Sequence, residues 1–325
     1  MREKDLISVV IPTYNRASLL KDALFSVYQQ SHRPIELIVV DDGSTDNTEV
    51  VVSVFKNEHV DSNFSLIYEY QTNAGGNVAR NKGIRLATAE YVAFLDSDDL
   101  WMPLKLEKQL TQIKGFDNIG AVYCGLLELN MEAPGVIDVI NRMFPQGNIH
   151  NQLLVRDVTA PTSTYLIRKT AFENVGYFNE KLQARQDWEM WIRISNNFLI
   201  LAIPENLVLY RKHDGERTIS NPAKELHANN YIFDTYIKGK FFVFPSTYFK
   251  AYSTLQKRKG RLYHHAKGMK SRSFAYFTIA ILAWPFDFDN YAALFGLFIP
   301  KTFRIKLHKA WNRQFSKSPF SIKSH

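Results

Sequence analysis

Apolar positions in the first 120 residues follow two alternating patterns. Short, nearly continuous apolar runs at 8–11, 35–40, 66–70 and 91–95 read as strands. Between them, apolar side chains recur at helical spacing. The clearest case is 17–30, with Leu20, Ala23, Leu24 and Val27 on one face; 47–55 and 77–87 read the same way. Strands that are apolar throughout are covered on both faces. The alternation therefore predicts an α/β fold, a Rossmann-like, mostly parallel sheet flanked by helices. Ligands of such sheets sit beyond the carboxyl ends of the strands.

From about residue 121 the pattern loosens. Residues 122–129, 165–167 and 208–210 read as strands and 187–196 as a helix, around a turn-rich insertion at 131–150 that contains Pro134, Gly135, Pro145 and Gly147. After Pro222 the chain reads as helical, and 261–282 resembles one degenerate helical hairpin.

The chain has 325 residues, 46% of them hydrophobic, enough for one large core plus an appendage. Its one cysteine, Cys124, allows no internal disulfide and suits a reducing, cytoplasmic setting. The N-terminus has no secretory apolar segment, and the longest apolar stretch, 274–284, is cut by Pro285, Asp287 and Asp289. A spanning helix needs about 20 apolar residues, so this stretch is too short to cross a bilayer. The net charge of +8 hides a division. Seventeen of the 40 Lys+Arg but only two of the 32 Asp+Glu lie from Lys238 onward, so that segment carries +15 and the first 237 residues −7. An acidic body with a basic, aromatic tail suggests two roles.

Two of the strands end in acid. The run 91–95 leads into Asp96-Ser97-Asp98-Asp99, and 35–40 into Asp41-Asp42-Gly43-Ser44. Carboxylates that close together cost stability unless a cation or a base neutralises them. Two acid-tipped strands at one sheet edge suit a nucleotide held with a divalent metal. Gly43 permits a tight turn, and Ser44 or Asp46 is suited to cap the helix that follows. Gly75-Gly76 precede a helix whose free N–H groups suit phosphate or sugar oxygens. Asp99 is a candidate cap for a helix starting near Pro103.

The segments Ser8-Val9-Val10-Ile11-Pro12-Thr13-Tyr14-Asn15-Arg16, Asp41-Asp42-Gly43-Ser44-Thr45-Asp46, Asn73-Ala74-Gly75-Gly76 with Ala79-Arg80-Asn81, and Asp96-Ser97-Asp98-Asp99 resemble the successive signatures of family 2 glycosyltransferases. The resemblance covers residues 6–220. It implies an inverting enzyme with the A-type glycosyltransferase fold and a helical C-terminal extension. By it, 1–221 is the catalytic domain, with a nucleotide-binding half (1–120) and an acceptor-side half (121–221), and 222–325 is the extension.

The resemblance assigns Pro12, Thr13, Tyr14 and Arg16 to the nucleotide, with Asp42 on the uracil imide. Gly75, Gly76 and Arg80 fall to the nucleotide or donor sugar. Asp96, Ser97 and Asp98 form the D-x-D element, Asp98 as ligand of Mn²⁺ or Mg²⁺ and Asp96 nearer the ribose and metal. Gln186-Asp187-Trp188-Glu189-Met190-Trp191 resembles a later motif that usually opens with a Glu-Asp pair. Here Gln186 replaces the glutamate, and Asp187 is the candidate general base. Trp188 and Trp191 read as packing residues. Tyr210-Arg211-Lys212-His213 with Arg217-Thr218-Ile219-Ser220 resembles a downstream segment and makes His213 a further candidate for the metal or diphosphate.

The implied donor is a nucleotide-diphosphate sugar, a UDP-sugar by preference, and the acceptor a saccharide or lipid-linked saccharide of surface polysaccharide or glycolipid synthesis. In the tail, 241–244, 257–261 and 279–288 mix cations with large apolar groups. That mixture suits an anionic membrane surface, on the cytoplasmic face of an inner membrane, and equally suits an appendage packed on the catalytic domain with its charge solvated. No nucleic-acid recognition motif accompanies the charge. Two alternatives remain. A sugar-nucleotide pyrophosphorylase would carry a Gly-rich basic loop where Pro12-Thr13-Tyr14-Asn15 stand, and a non-catalytic nucleotide-sugar-binding protein would lack the base.

Overall fold

A computed structural model describes residues 5–131, 137–139, 143–212, 222–265 and 269–298. β1 (Ile7–Thr13), α1 (Ala17–Tyr28), β2 (Ile35–Asp41), α2 (Thr48–His59), β3 (Phe64–Tyr70), α3 (Gly76–Leu86) and β4 (Tyr91–Phe94) alternate as the apolar pattern predicts. Every residue of β1, β2 and β4 is buried, whereas β3, at the end of the sheet, is buried only in part. Parallel pairing in the registers Val9↔Leu37, Val9↔Ala93 and Leu37↔Leu66 brings Thr13, Asp41 and the chain leaving β4 to one edge.

β5 (Asp99–Trp101), α4 (Lys105–Ile113), β6 (Ile119–Asn130), β7 (Ile137–Val139), α5 (His150–Val155), β8 (Tyr165–Arg168), α6 (Lys169–Val175), α7 (Gln186–Asn197) and β9 (Leu199–Lys212) complete the first unit. The sheet runs β3-β2-β1-β4-β8-β6-β9-β5, with β7 on β6. β8 is antiparallel to both neighbours and β5 to β9, while β6 and β9 are parallel. Among the described residues six of the nine strands therefore run in one direction, and the sheet is mixed, with four parallel and four antiparallel pairings.

The structure corrects three expectations. The strand expected at 208–210 is the end of a 14-residue β9. Its pairing with β6 steps from Cys124↔Ile203 to Gly125↔Asn206, and Pro204 and Glu205 occupy the irregularity. Proline lacks the N–H a ladder needs and is tolerated at such a bulge, so the sequence pattern breaks there although the strand continues. Within the 131–150 insertion, 137–139 form a strand on β6; 132–136 and 140–142 lie outside the described residues. Asp99 caps no helix. It begins β5, and α4 starts after Leu104 with no side-chain cap.

The boundary between compact units falls between Ala228 and Asn229, inside α8 (Pro222–Ile232). The second unit is built on α9 (Pro245–His265), α10 (Lys270–Ala283) and α11 (Phe288–Phe295). The first two are antiparallel: Ser253 Oγ donates to the Ala280 carbonyl (2.8 Å), Ser273 Oγ to that of Gly260 (2.7 Å), and the Tyr263 and Tyr276 rings stack at 5.3 Å. The expected hairpin thus exists, but its first helix starts at Pro245. Among the described residues no helix is long and apolar enough to cross a membrane.

Candidate functional site

The carboxyl ends of β1, β2 and β4 and the N-termini of α3 and α7 surround a cavity of about 800 Å³. Pro12, Thr13, Tyr14, Arg16, Asp42, Gly75, Gly76, Arg80, Asp96, Ser97, Asp98 and Asp187 all line it, so one cavity gathers the sequence candidates from five chain segments. His213 and 217–220 lie outside the described residues. Five polar atoms on this wall are buried and, among the described residues, have no hydrogen-bond partner: Thr13 Oγ1, Ser97 Oγ, Arg80 Nε, Arg185 Nε and Gln186 Oε1. Buried polar groups are normally satisfied, so such a set is what a polar ligand would complete.

The two acid-tipped strands use their carboxylates differently. At the end of β2, Asp41 accepts from the Ser44 amide (2.8 Å) and the Tyr68 hydroxyl (2.7 Å). Asp42 accepts from Gln71 Nε2 (2.7 Å) and from the amides of Ala74 and Gly75 (both 2.8 Å). These bonds shape the loop before α3, where Gly75 has φ +99°, a left-handed conformation that a side chain would strain. Asp46 accepts from the Ala17 amide (3.0 Å) and the Thr48 amide (3.1 Å), so one carboxylate serves the first turns of α1 and α2. Burial works against its ionisation, but the hydrogen bonds from Thr48 and Ala17 outweigh it and lower its pKa.

At the end of β4, the carboxylates meet arginines. Arg80 Nη2 lies 2.5 Å from Asp96 Oδ1, and Arg16 Nη1 lies 2.9 Å from Asp98 Oδ2. Arg80 is only 8% exposed. The Asp96 amide donates to Ser163 Oγ (3.1 Å), which donates to Asp99 Oδ2 (2.6 Å). Complete burial, then the neighbouring Asp96 and Asp98 carboxylates, push the Asp99 pKa well up. Asp99 therefore holds its proton more readily than an ordinary carboxyl, which relieves repulsion in the cluster. Arg211, at the end of β9, donates through Nε to the Asp98 carbonyl (2.6 Å), through Nη1 to Asp22 (2.7 Å) and through Nη2 to the Leu19 carbonyl (2.9 Å). It ties the D-x-D backbone to α1. Sequence reasoning had Arg211 inside a motif but assigned it no role, and Ser163 carried no signal.

Asp187 sits in the first turn of α7, behind a left-handed Arg185 (φ 57°). Its Oδ1 accepts from the Trp188 amide (2.8 Å), so it serves the helix end and faces the cavity as well. The loop leading to it is held from α3. Asn77 Nδ2 donates to the carbonyls of Asn179 (3.0 Å) and Leu182 (2.8 Å), and Asn81 Nδ2 to that of Phe178 (2.9 Å). Desolvation, reinforced by the Asp157 carboxylate, raises the Asp187 pKa to about 6; the Trp188 amide and the cations Arg185 and Arg80 oppose the rise. Trp188 and Trp191 are buried as packing residues, Trp188 donating to the Leu153 carbonyl (2.8 Å) and Trp191 stacked on Tyr165 at 3.7 Å.

Among the described residues no three His, Cys, Asp or Glu side chains form a metal cluster. Of the carboxylates that line the cavity, Asp96 and Asp98 lie closest together in the chain, at the end of β4. Mg²⁺ is usually held by one or two carboxylates together with substrate phosphates and water. The donor set therefore fits a divalent ion whose remaining ligands come from a diphosphate.

Residues 8–176 match the family described as Glycosyl transferase family 2. The chain belongs to this family. An uncharacterized glycosyltransferase of Rickettsia typhi is 29% identical over 216 residues, 66% of each chain. The UDP-Glc:alpha-D-GlcNAc-diphosphoundecaprenol beta-1,3-glucosyltransferase WfgD of Escherichia coli is 29% identical over 223 residues, 68% of this chain and 82% of that one. The alignments span 66% of the R. typhi protein and 36% of a Rickettsia conorii relative. The crystal structure of S. aureus TarS 1-349 in complex with UDP-GlcNAc superposes with a TM-score of 0.58 at 19% identity, covering 88% of this chain and 89% of that one. The mannosyltransferase PcManGT of Pyrobaculum calidifontis, in complex with GDP-Man and Mn²⁺, gives 0.58 at 19% identity, covering 96% and 88%. The family 2 member described here thus has the A-type glycosyltransferase fold that its motifs imply.

Proposed function

We propose that this family member transfers a sugar from a nucleotide-diphosphate donor to an acceptor hydroxyl with inversion, and that Asp187 is its general base. One observation carries the reading: a carboxylate with a pKa near 6 shares a cavity with the two D-x-D carboxylates. Pro12, Thr13 and Tyr14 would flank the base, the amides at Gly75 and Gly76 and the guanidinium of Arg80 the phosphates and sugar. Asp42 acts mainly on the loop that presents those glycines, since its carboxylate already receives three donors. Mn²⁺ or Mg²⁺ held by Asp98 and Asp96 would supply positive charge for the departing diphosphate.

The acceptor oxygen bonds to the anomeric carbon as that carbon's bond to the diphosphate oxygen breaks. The hydroxyl proton passes to the Asp187 carboxylate, and the nucleoside diphosphate leaves. A base with a pKa near 6 is ionised at neutral pH and still basic enough to take the proton. Gln186 binds no proton, so Asp157 supplies the second negative charge near Asp187. The WfgD name specifies a UDP-Glc donor and a diphosphoundecaprenol-linked acceptor, and the TarS structure holds UDP-GlcNAc. Both favour a UDP-sugar donor and a saccharide or lipid-linked saccharide acceptor.

Calorimetric titration with UDP, GDP and dTDP, each with Mn²⁺ and with EDTA, tests the reading. The expected result is binding of one nucleotide that depends on the metal and is lost in Asp98→Ala. No binding of any nucleotide by folded protein overturns it.

A further inference from the structure

The second unit ends in a surface that catalysis does not use. Where α9 starts and α10 stops, large apolar side chains face solvent: Phe242 is 91% exposed, Leu282 78%, Phe286 74% and Phe288 82%. The turn before α9 and the turn after α10 both pack on the first two turns of α9. Phe241 packs on Phe249 with centroids 5.6 Å apart, Lys250 Nζ lies 4.9 Å from the centre of the Trp284 ring, and Trp284 meets Phe286 at 5.5 Å. Lys240 Nζ lies 5.9 Å from the Phe244 ring, and the exposed Lys238 stands two residues before Lys240 in the chain. The nearby carboxylates of Asp287 and Asp289 are turned to Lys257, at 2.8 and 4.0 Å. Of the three tail segments, two therefore form one surface, while Lys257 of the third is engaged within the unit.

We propose that this end of the α9–α10 hairpin inserts into the headgroup region of an anionic lipid bilayer. Contiguous exposed apolar area of this kind marks an interaction site. Side chains about three-quarters or more exposed stand clear of their neighbours, a form that enters a headgroup layer and leaves gaps against a flat protein face. The lysine border matches anionic lipid, and aromatic rings with cations are the composition of segments that lie in the interface. The inference is independent of the transferase reading, because its test requires no turnover.

The test is flotation of the full chain with vesicles of equimolar phosphatidylglycerol and phosphatidylcholine, and with phosphatidylcholine alone. The wild type is expected to float with the anionic vesicles. Lys238→Gln/Lys240→Gln/Lys250→Gln should lower partitioning by about 100-fold, about fivefold per charge. Phe242→Ser/Phe286→Ser/Phe288→Ser should lower it by about 100-fold or more. These side chains are on the surface, and unchanged helical circular dichroism verifies the fold of each variant. A wild type that stays with the soluble fraction, or an aromatic variant that floats as well as the wild type, overturns the proposal. So does a wild-type oligomer, without vesicle binding, that the aromatic substitutions dissociate; the surface would then be a protein interface.

Discussion

The ends of β2 and β4 have the same local composition, a buried apolar strand followed by paired aspartates, and tertiary structure gives them opposite uses. At β2 the carboxylates are consumed by amides, a tyrosine and a glutamine, and they build the turn. At β4 they are held by arginines beside a cavity, with Asp99 pushed toward its neutral form. A carboxylate bound by backbone amides is fixed in place, whereas one paired with a side-chain guanidinium can exchange that partner for another cation. An acidic cluster in a sequence therefore does not say by itself whether it builds or binds.

The sharpest test of that contrast is chemical. Asp187→Asn should lower kcat by about 10²–10⁴ while leaving metal-dependent nucleotide binding unchanged, measured by turnover and calorimetry on one preparation. The same substitution should raise the thermal midpoint at pH 7. A carboxyl whose folded pKa is near 6, against 3.8 ordinarily, costs the fold stability as pH rises from about 4 to about 6, and asparagine removes that cost. A variant both inactive and less stable would mean that Asp187 is structural.

The next effect belongs to the D-x-D backbone. Arg211→Ala should weaken Mn²⁺-dependent nucleotide binding by about 10- to 100-fold, the usual size for partners that orient a metal ligand, with binding in EDTA unaffected. If both fall together, Arg211 acts only through the fold.

The two strand ends should then separate under matched substitution. Asp42→Asn, which sets an amide N–H against donors, should cost about 1–3 kcal/mol in denaturant unfolding and leave the metal dependence intact. Asp98→Asn should do the reverse. Equal metal dependence in both variants would erase the distinction between building and binding. The smallest effect is with pH: kcat/KM should fall about tenfold per unit below about pH 6 as Asp187 takes up its proton. A flat profile down to pH 4.5 would remove Asp187 from the role of base.

Much of the site was legible because its residues lie in short segments that a strand–turn–helix grammar brings to one edge. Pro12 to Arg16, Asp42, Gly75-Gly76 and Asp96 to Asp98 each end or follow a strand and so meet beyond the sheet. Ser163 and Arg211 were not legible, because their roles consist of hydrogen bonds to backbone or carboxylate groups far away in the chain. β9 was read only at its end, since Pro204, Glu205 and Asn206 interrupt the apolar run, and only pairing with β6 shows the strand continuing.

From the residues alone came the α/β alternation, the edge at which a ligand would sit, the family, and the division between an acidic body and a basic tail. These follow from local periodicity, turn chemistry and charge, which neighbours in the chain determine. Only the tertiary structure decided which carboxylates are consumed by the scaffold, which face the cavity, how far Asp187 is desolvated, and that two tail segments share one exposed end. Each of those depends on burial and on partners distant in sequence, and a linear pattern carries neither.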